Sequence, residues 1–147
     1  MKRKASATWN GGLKDGNGIV STDSNVLFNA QYSFATRFEH GKGTNPEELI
    51  AAAHAACYAM ALSAQLGGAG MNPERVNATA TVTLDKLDKG WTVTESHLDV
   101  VAKVPNADPA RFQEIAAKAK AECPISRLLN ANVTLTATLE AVSRAGG

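Results

Sequence analysis

The chain has two cysteines, and each sits in a short motif with chemical logic of its own. Cys57 lies in a run that opens Asn45-Pro46-Glu47-Glu48 and closes His54-Ala55-Ala56-Cys57-Tyr58-Ala59-Met60-Ala61-Leu62-Ser63. Cys123 opens Cys123-Pro124-Ile125-Ser126-Arg127. One thiol is embedded in an apolar helix, and the other is placed at a helix N-terminus. That pairing suits a redox cycle better than a structural staple.

A cysteine inside an apolar helix is ordinarily a small core residue, and burial alone leaves its thiol inert. Reactivity at Cys57 therefore needs a cation. The candidates are Arg37, in Thr36-Arg37-Phe38-Glu39, and His54, three residues before Cys57 on the same helical face. An arginine cannot act as a base, but it stabilises a thiolate and offers forked hydrogen bonds to a peroxide oxygen. At Cys123, Pro124 takes the first helical position and makes the cysteine the N-cap. Free N–H groups and the helix dipole favour a thiolate there.

Other chemistries fit less well. Zinc asks for four ligands at close spacing, whereas Cys57, His54 and Cys123 with His40 or His97 form an irregular set. A Cys57–His54 dyad for acyl transfer is geometrically possible, but no oxyanion-hole motif accompanies it. His54 reads as a packed or hydrogen-bonded core histidine rather than a catalytic base.

The elements that must position these residues follow from patterning. Residues 5–9 and 18–21 are short β runs, and Asp15-Gly16 or Asn17-Gly18 predicts a hairpin with a primed turn. Residues 26–28 and 32–38 supply two further β-like segments. Thr44 or Asn45 caps a helix, Pro46 takes its first position, and Glu47 and Glu48 favour its positive end. This helix runs to about Leu66, is apolar all round, and ends at Gly67-Gly68-Ala69-Gly70. Residues 76–84 and 91–104 alternate as two antiparallel strands around a turn at 85–90. A second helix covers 109–121, a short third runs from Cys123-Pro124 to about Asn130, and 133–142 is a last strand. That order is an α+β domain.

At 147 residues the chain is expected to be one domain, residues 1–147. With 44% apolar and 20% charged residues it has a globular composition, and a net charge of +1 argues against nucleic acid as partner. No stretch reaches the ~20 apolar residues of a membrane span. The basic start Lys2-Arg3-Lys4 lacks an apolar segment behind it, so a cytoplasmic location is expected. In a reducing compartment a disulfide is more often transient and catalytic than structural.

Glu47 precedes Cys57 by ten residues, or about 15 Å of helix axis, and cannot touch the Cys57 sulfur of its own chain. An antiparallel copy of the helix about a two-fold axis brings them together, so a homodimer with sites at the interface is expected.

At these residues the chain resembles the OsmC/Ohr superfamily of bacterial thiol peroxidases. The carrying motifs are Gly43-Thr44-Asn45-Pro46-Glu47-Glu48-Leu49, the segment around Cys57, Leu84-Asp85-Lys86, and Ala119-Lys120-Ala121-Glu122-Cys123-Pro124-Ile125-Ser126. The His54-Ala55-Ala56-Cys57 form and Ile125-Ser126 after Cys-Pro are similar to the osmotically inducible protein C branch. The resemblance implies two antiparallel β-sheets around a long central apolar helix in an intertwined homodimer. It implies a hydroperoxide reductase with Cys57 peroxidatic, Cys123 resolving, Arg37 activating the thiolate and Glu47 holding Arg37. It implies no bound cofactor or metal, and a lipoyl-type dithiol as external reductant. The competing expectation is a non-catalytic, stress-induced dimeric binding protein whose cysteines are merely buried.

Overall fold

The computed structural model describes residues 1–141. The chain divides after Leu49, inside its longest helix, into two compact units. In the first unit, β1 (Ala5–Asn10), β2 (Asn17–Thr22) and β3 (Ala30–Tyr32) form an antiparallel sheet in that order, followed by α1 (Phe34–Phe38). Helix α2 (Pro46–Gly68) crosses into the second unit. There β4 (Arg75–Leu87), β5 (Gly90–Lys103) and β6 (Asn132–Leu139) form a second sheet, with α3 (Pro109–Glu122) and α4 (Pro124–Leu128) between the last two strands.

The second unit has a core whose parity is visible strand by strand. Along β5, Ser96, Leu98, Val100 and Ala102 all point inward and are fully buried. Helix α3 starts at an Asp108 cap, which accepts from the Arg111 amide at 2.9 Å, with Pro109 at the first position. Its buried stripe, Phe112, Ile115, Ala116 and Ala119, has the spacing of one helical face. Helix α2 contributes His54, Tyr58, Leu62 and Leu66, one residue per turn and each fully buried. The opposite face, Ala52, Ala53, Ala56 and Met60, is exposed.

The α+β class and the long apolar helix agree with the patterning, and several details differ. Residues 32–38 do not form one strand: β3 ends at Tyr32 and α1 begins at Phe34. A capping box between Ser33 and Thr36 nucleates the helix, and Phe34 and Phe38 stack one turn apart at 4.9 Å. Residues 26–28 are a bend instead of a strand, bounded by Asn25 and Asn29 in the left-handed region. The first hairpin has a loop over residues 11–16, with Gly11 at φ 91°, and Asn17-Gly18 lies inside β2. The strands at 85–90 close more tightly than expected, leaving only Asp88 and Lys89 between them. Val142, placed in the last strand by its pattern, lies outside the described residues.

The second sheet is mixed and not wholly antiparallel: β4 and β5 are antiparallel, but β5 and β6 are parallel. The cause is the long crossover through α3 and α4, which returns the chain to the same end of the sheet. Helix α2 also corrects the membrane reading. Its 23 residues are long and apolar enough to cross a bilayer by length and composition, because alanine counts as apolar over the whole run. Core helices share that character, and here one face is buried.

Candidate active site

Helix α2 begins with a cap that also organises the preceding helix. Asn45 Oδ1 accepts from the Glu48 amide at 2.8 Å, while Asn45 Nδ2 donates to the Thr36 carbonyl at 3.1 Å. Of the two cap candidates, Asn45 takes the role. This tie sets α1 beside the first turn of α2, where Arg37 meets Glu47. Arg37 Nη2 donates to Glu47 Oε1 at 2.7 Å, and Nε reaches both carboxylate oxygens at 3.2 Å. The forked geometry fixes the guanidinium plane. Glu47 is buried, Arg37 is about a third exposed, and the guanidinium also lies 5.3 Å from the Phe38 ring. The pair thus presents an oriented, partly solvated cation.

In the second unit, the fold brings both cysteines together with their Sγ atoms 3.2 Å apart. Both are free thiols, Cys57 half-buried on α2 and Cys123 fully buried. Cys123 ends α3 and is the N-cap residue of α4, the position its Pro124 neighbour predicts. Burial works to raise its pKa, but the Ser126 amide, the Cys57 thiol, the Ser126 hydroxyl and the Ile125 amide outweigh it, so Cys123 is lowered. The Cys123 side chain closes no cap hydrogen bond of normal geometry, so the α4 groups act on it as nearby oriented dipoles. Burial pushes the Cys57 thiol up; the Ile125 amide opposes it, and the adjacent Cys123 adds to the upward push. The two thiols are therefore pushed in opposite directions, Cys57 up and Cys123 down.

His54 is not the cation that Cys57 lacks. It is fully buried, and burial lowers its pKa, so it is neutral at pH 7. Both ring nitrogens are engaged: Nδ1 with Ser96 Oγ at 2.6 Å and Nε2 with Ser126 Oγ at 2.8 Å. It is a hydrogen-bonded core histidine, and neither nitrogen faces Cys57 as a base. Tyr58, the neighbour of Cys57, is fully buried and donates to the Ala116 carbonyl at 3.0 Å, fastening α2 to α3. Among the described residues no cluster of three His, Cys, Asp or Glu side chains is disposed to hold a metal.

Ser96 does not stand out in the sequence, and Ser126 enters only as part of the Ile125-Ser126 motif with no role of its own, although a signal exists for each. Ser96 is the polar residue in the inward phase of β5, and Ser126 stands three residues after Cys123 as His54 stands three before Cys57.

Residues 39–138 match the family model described as OsmC-like protein. The chain belongs to the OsmC family. The peroxiredoxin OsmC of Escherichia coli K12 is 51% identical over 135 residues, covering 92% of this chain and 94% of that one. The organic hydroperoxide resistance protein of Xanthomonas axonopodis pv. citri is 32% identical over 100 residues, 67% of this chain and 68% of that one. Among solved structures, the organic hydroperoxide resistance protein OhrB of Bacillus subtilis is similar, with a TM-score of 0.66 and 25% identity. That match covers 93% of this chain and 98% of OhrB. The OsmC-family span contains Glu47 and both cysteines and begins just after Arg37.

Proposed function

We propose that this OsmC-family protein is a thiol-dependent peroxidase that reduces organic hydroperoxides, and hydrogen peroxide more slowly, in oxidative and osmotic stress defence. The observation that carries the reading is the 3.2 Å approach of the two free thiols, in a chain half identical to a peroxiredoxin. Cys57 is the peroxidatic residue because it is the accessible one; Cys123 is fully buried.

The reaction runs through the Cys57 thiolate, toward which Cys123 Sγ is placed as a hydrogen-bond donor at 3.2 Å. Cys57 attacks the distal peroxide oxygen, the O–O bond breaks, and the leaving alkoxide takes a proton to depart as alcohol. Arg37, held by Glu47, stabilises the charge that develops on the peroxide oxygens. Cys57 is left as a sulfenic acid. Cys123 then attacks the Cys57 sulfur, water leaves, and a Cys57–Cys123 disulfide forms before further oxidation. An external dithiol of lipoyl type supplies the two electrons that restore both thiols by exchange, entering at the Cys57 sulfur. No step calls for a bound cofactor or metal.

The working form in this reading is a homodimer of chains that each form one domain, residues 1–147, in the cytoplasm, apart from membranes and nucleic acid. The exposed Ala52–Ala53–Ala56–Met60 face of α2 supports it, Met60 being 76% exposed in the single chain. An antiparallel partner helix covers that face and brings the partner's Glu47, with Arg37, toward Cys57. Sedimentation that finds a folded, active monomer removes this part of the reading.

The first test is free-thiol titration of the reduced protein with cumene hydroperoxide and hydrogen peroxide, followed by intact mass. One equivalent of peroxide is expected to consume two thiols and remove two hydrogens per chain. Survival of both thiols in a large excess of either peroxide overturns the peroxidase reading in favour of a binding protein with buried cysteines.

A further inference from the structure

Helices α2 and α4 are joined by two parallel cross-links. His54 and Cys57 are three residues apart on α2, and Cys123 and Ser126 are three residues apart at the start of α4. One rung joins Cys57 Sγ to Cys123 Sγ at 3.2 Å, and the other joins His54 Nε2 to Ser126 Oγ at 2.8 Å. Three residues make nearly one helical turn, so the rungs sit one above the other.

The second rung matters because α4 cannot hold itself. It is 5 residues long, too short to be stable on propensity, and no residue of its own is buried. Its backbone is closed by the Arg127-to-Cys123 and Leu129-to-Ile125 bonds, at 3.0 and 3.2 Å. Ile125 packs partly against the core. The polar tie that fixes the turn carrying Cys123 is the His54–Ser126 bond. His54 is itself anchored from the far side by Ser96 of the inward-facing β5 row, at 2.6 Å. Either neutral tautomer satisfies the chain, with one serine hydroxyl donating to the ring and the other accepting from it.

We propose that the Ser96–His54–Ser126 chain is the positioning element of the second cysteine: it holds Cys123 against Cys57 so that disulfide formation outruns over-oxidation. The inference rests on the peroxidase reading for its biological setting, but the clamp acts on any Cys57–Cys123 disulfide. His54 touches no reacting atom and works through the placement of Cys123; the Ser126 hydroxyl takes part in that placement and also lowers the Cys123 pKa.

The experiment compares wild type, Ser126→Ala and Ser126→Thr, with circular dichroism and urea midpoints showing that each is folded. After one equivalent of cumene hydroperoxide, sulfenic acid is trapped with dimedone, and disulfide and sulfinic acid are counted by mass. In Ser126→Ala, dimedone-trapped and sulfinic Cys57 are expected to rise about tenfold relative to disulfide, the effect of losing one buried hydrogen bond in a positioned turn. Ser126→Thr keeps the hydroxyl and is expected to restore the wild-type ratio. General loosening of the fold would not be cured by that one oxygen. A wild-type partition in Ser126→Ala, or no rescue by Ser126→Thr, overturns the proposal. Diamide, which oxidises paired thiols without peroxide, separates the two ideas. If wild type ignores peroxide yet closes with diamide more slowly in Ser126→Ala, the peroxidase reading fails and the clamp stands. Equal diamide rates in both proteins sink the clamp.

Discussion

Cys57 and Cys123 face each other at 3.2 Å across 66 residues of sequence, and their surroundings push them in opposite directions. Burial and the neighbouring sulfur raise the Cys57 pKa, while the start of α4 favours charge on Cys123 and lowers its pKa. Two thiols in such contact titrate as a pair, so each substitution should expose the other residue's intrinsic behaviour.

Cys57→Ser removes a thiol that favours the Cys123 thiolate, and the Cys123 pKa is expected to rise. Cys123→Ser removes the group that adds to the upward push on Cys57, and the Cys57 pKa is expected to fall. Ultraviolet thiolate absorbance against pH in the two single-cysteine proteins reads both directions. Shifts of the same sign in both would show that the two thiols do not act on each other in opposite directions.

Under the proposed function the same two variants separate kinetically. Cys57→Ser should have no peroxide turnover. Cys123→Ser should consume one equivalent and then stall, accumulating sulfinic acid on Cys57 as peroxide is raised. Intact mass during a peroxide titration distinguishes a single added oxygen from two.

Arg37 and Glu47 form a forked ion pair with a buried carboxylate. Arg37→Met is expected to slow Cys57 oxidation about a hundredfold, the usual scale for loss of one transition-state donor. Glu47→Gln keeps a carbonyl acceptor but weakens the fork, so a smaller loss is expected. Stopped-flow rates of the first oxidation give both numbers, and an unchanged Arg37→Met rate excludes Arg37 from the chemistry.

His54 carries a pH signature. Its folded pKa is lowered by burial below the ordinary 6.5, so the unfolded chain binds the extra proton first. Stability should therefore be constant at higher pH, decline as pH falls through about 6.5, and level off below the folded pKa. Urea midpoints across that window should show a shallower decline in His54→Asn. An equal slope in the two proteins would assign the effect to other groups.

The core on α2 gives direct stability tests. Tyr58→Phe leaves the Ala116 carbonyl without its 3.0 Å donor in a buried site and is expected to cost about 1–2 kcal/mol. Leu62→Ala, at a fully buried position, should cost about 3 kcal/mol. By contrast the exposed Arg111–Glu114 pair, one turn apart on α3, should be nearly neutral when Glu114 is made Gln. Chemical denaturation of the reduced proteins measures all three.

Several elements are legible in the order of residues because their causes are local. Asn45-Pro46 starts α2 and Asp108-Pro109 starts α3, since cap and first-turn preferences act within four residues. The alternation of β4 and β5 follows from the two-residue period of a strand. The same local logic fails where two patterns compete. Residues 32–38 have strand-like composition, yet the Ser33–Thr36 box and the Phe34–Phe38 stack make a helix of most of them. The parallel pairing of β5 with β6 is set by the path of α3 and α4 and has no signature in β6 itself.

The site divides along the same line. The residues proposed to do the chemistry, two cysteines, an arginine and a glutamate, are candidates offered by the chain alone, in motifs that resemble one family. Their types and short-range spacing are local properties, and local properties are written in order along the chain. How they are used is a matter of packing. The fold put the two sulfurs in contact, gave His54 to Ser96 and Ser126 instead of to Cys57, and set the two thiols apart in burial and proton affinity. Those outcomes depend on distances between residues remote in sequence and on the water excluded around them, and both arise only when the chain packs.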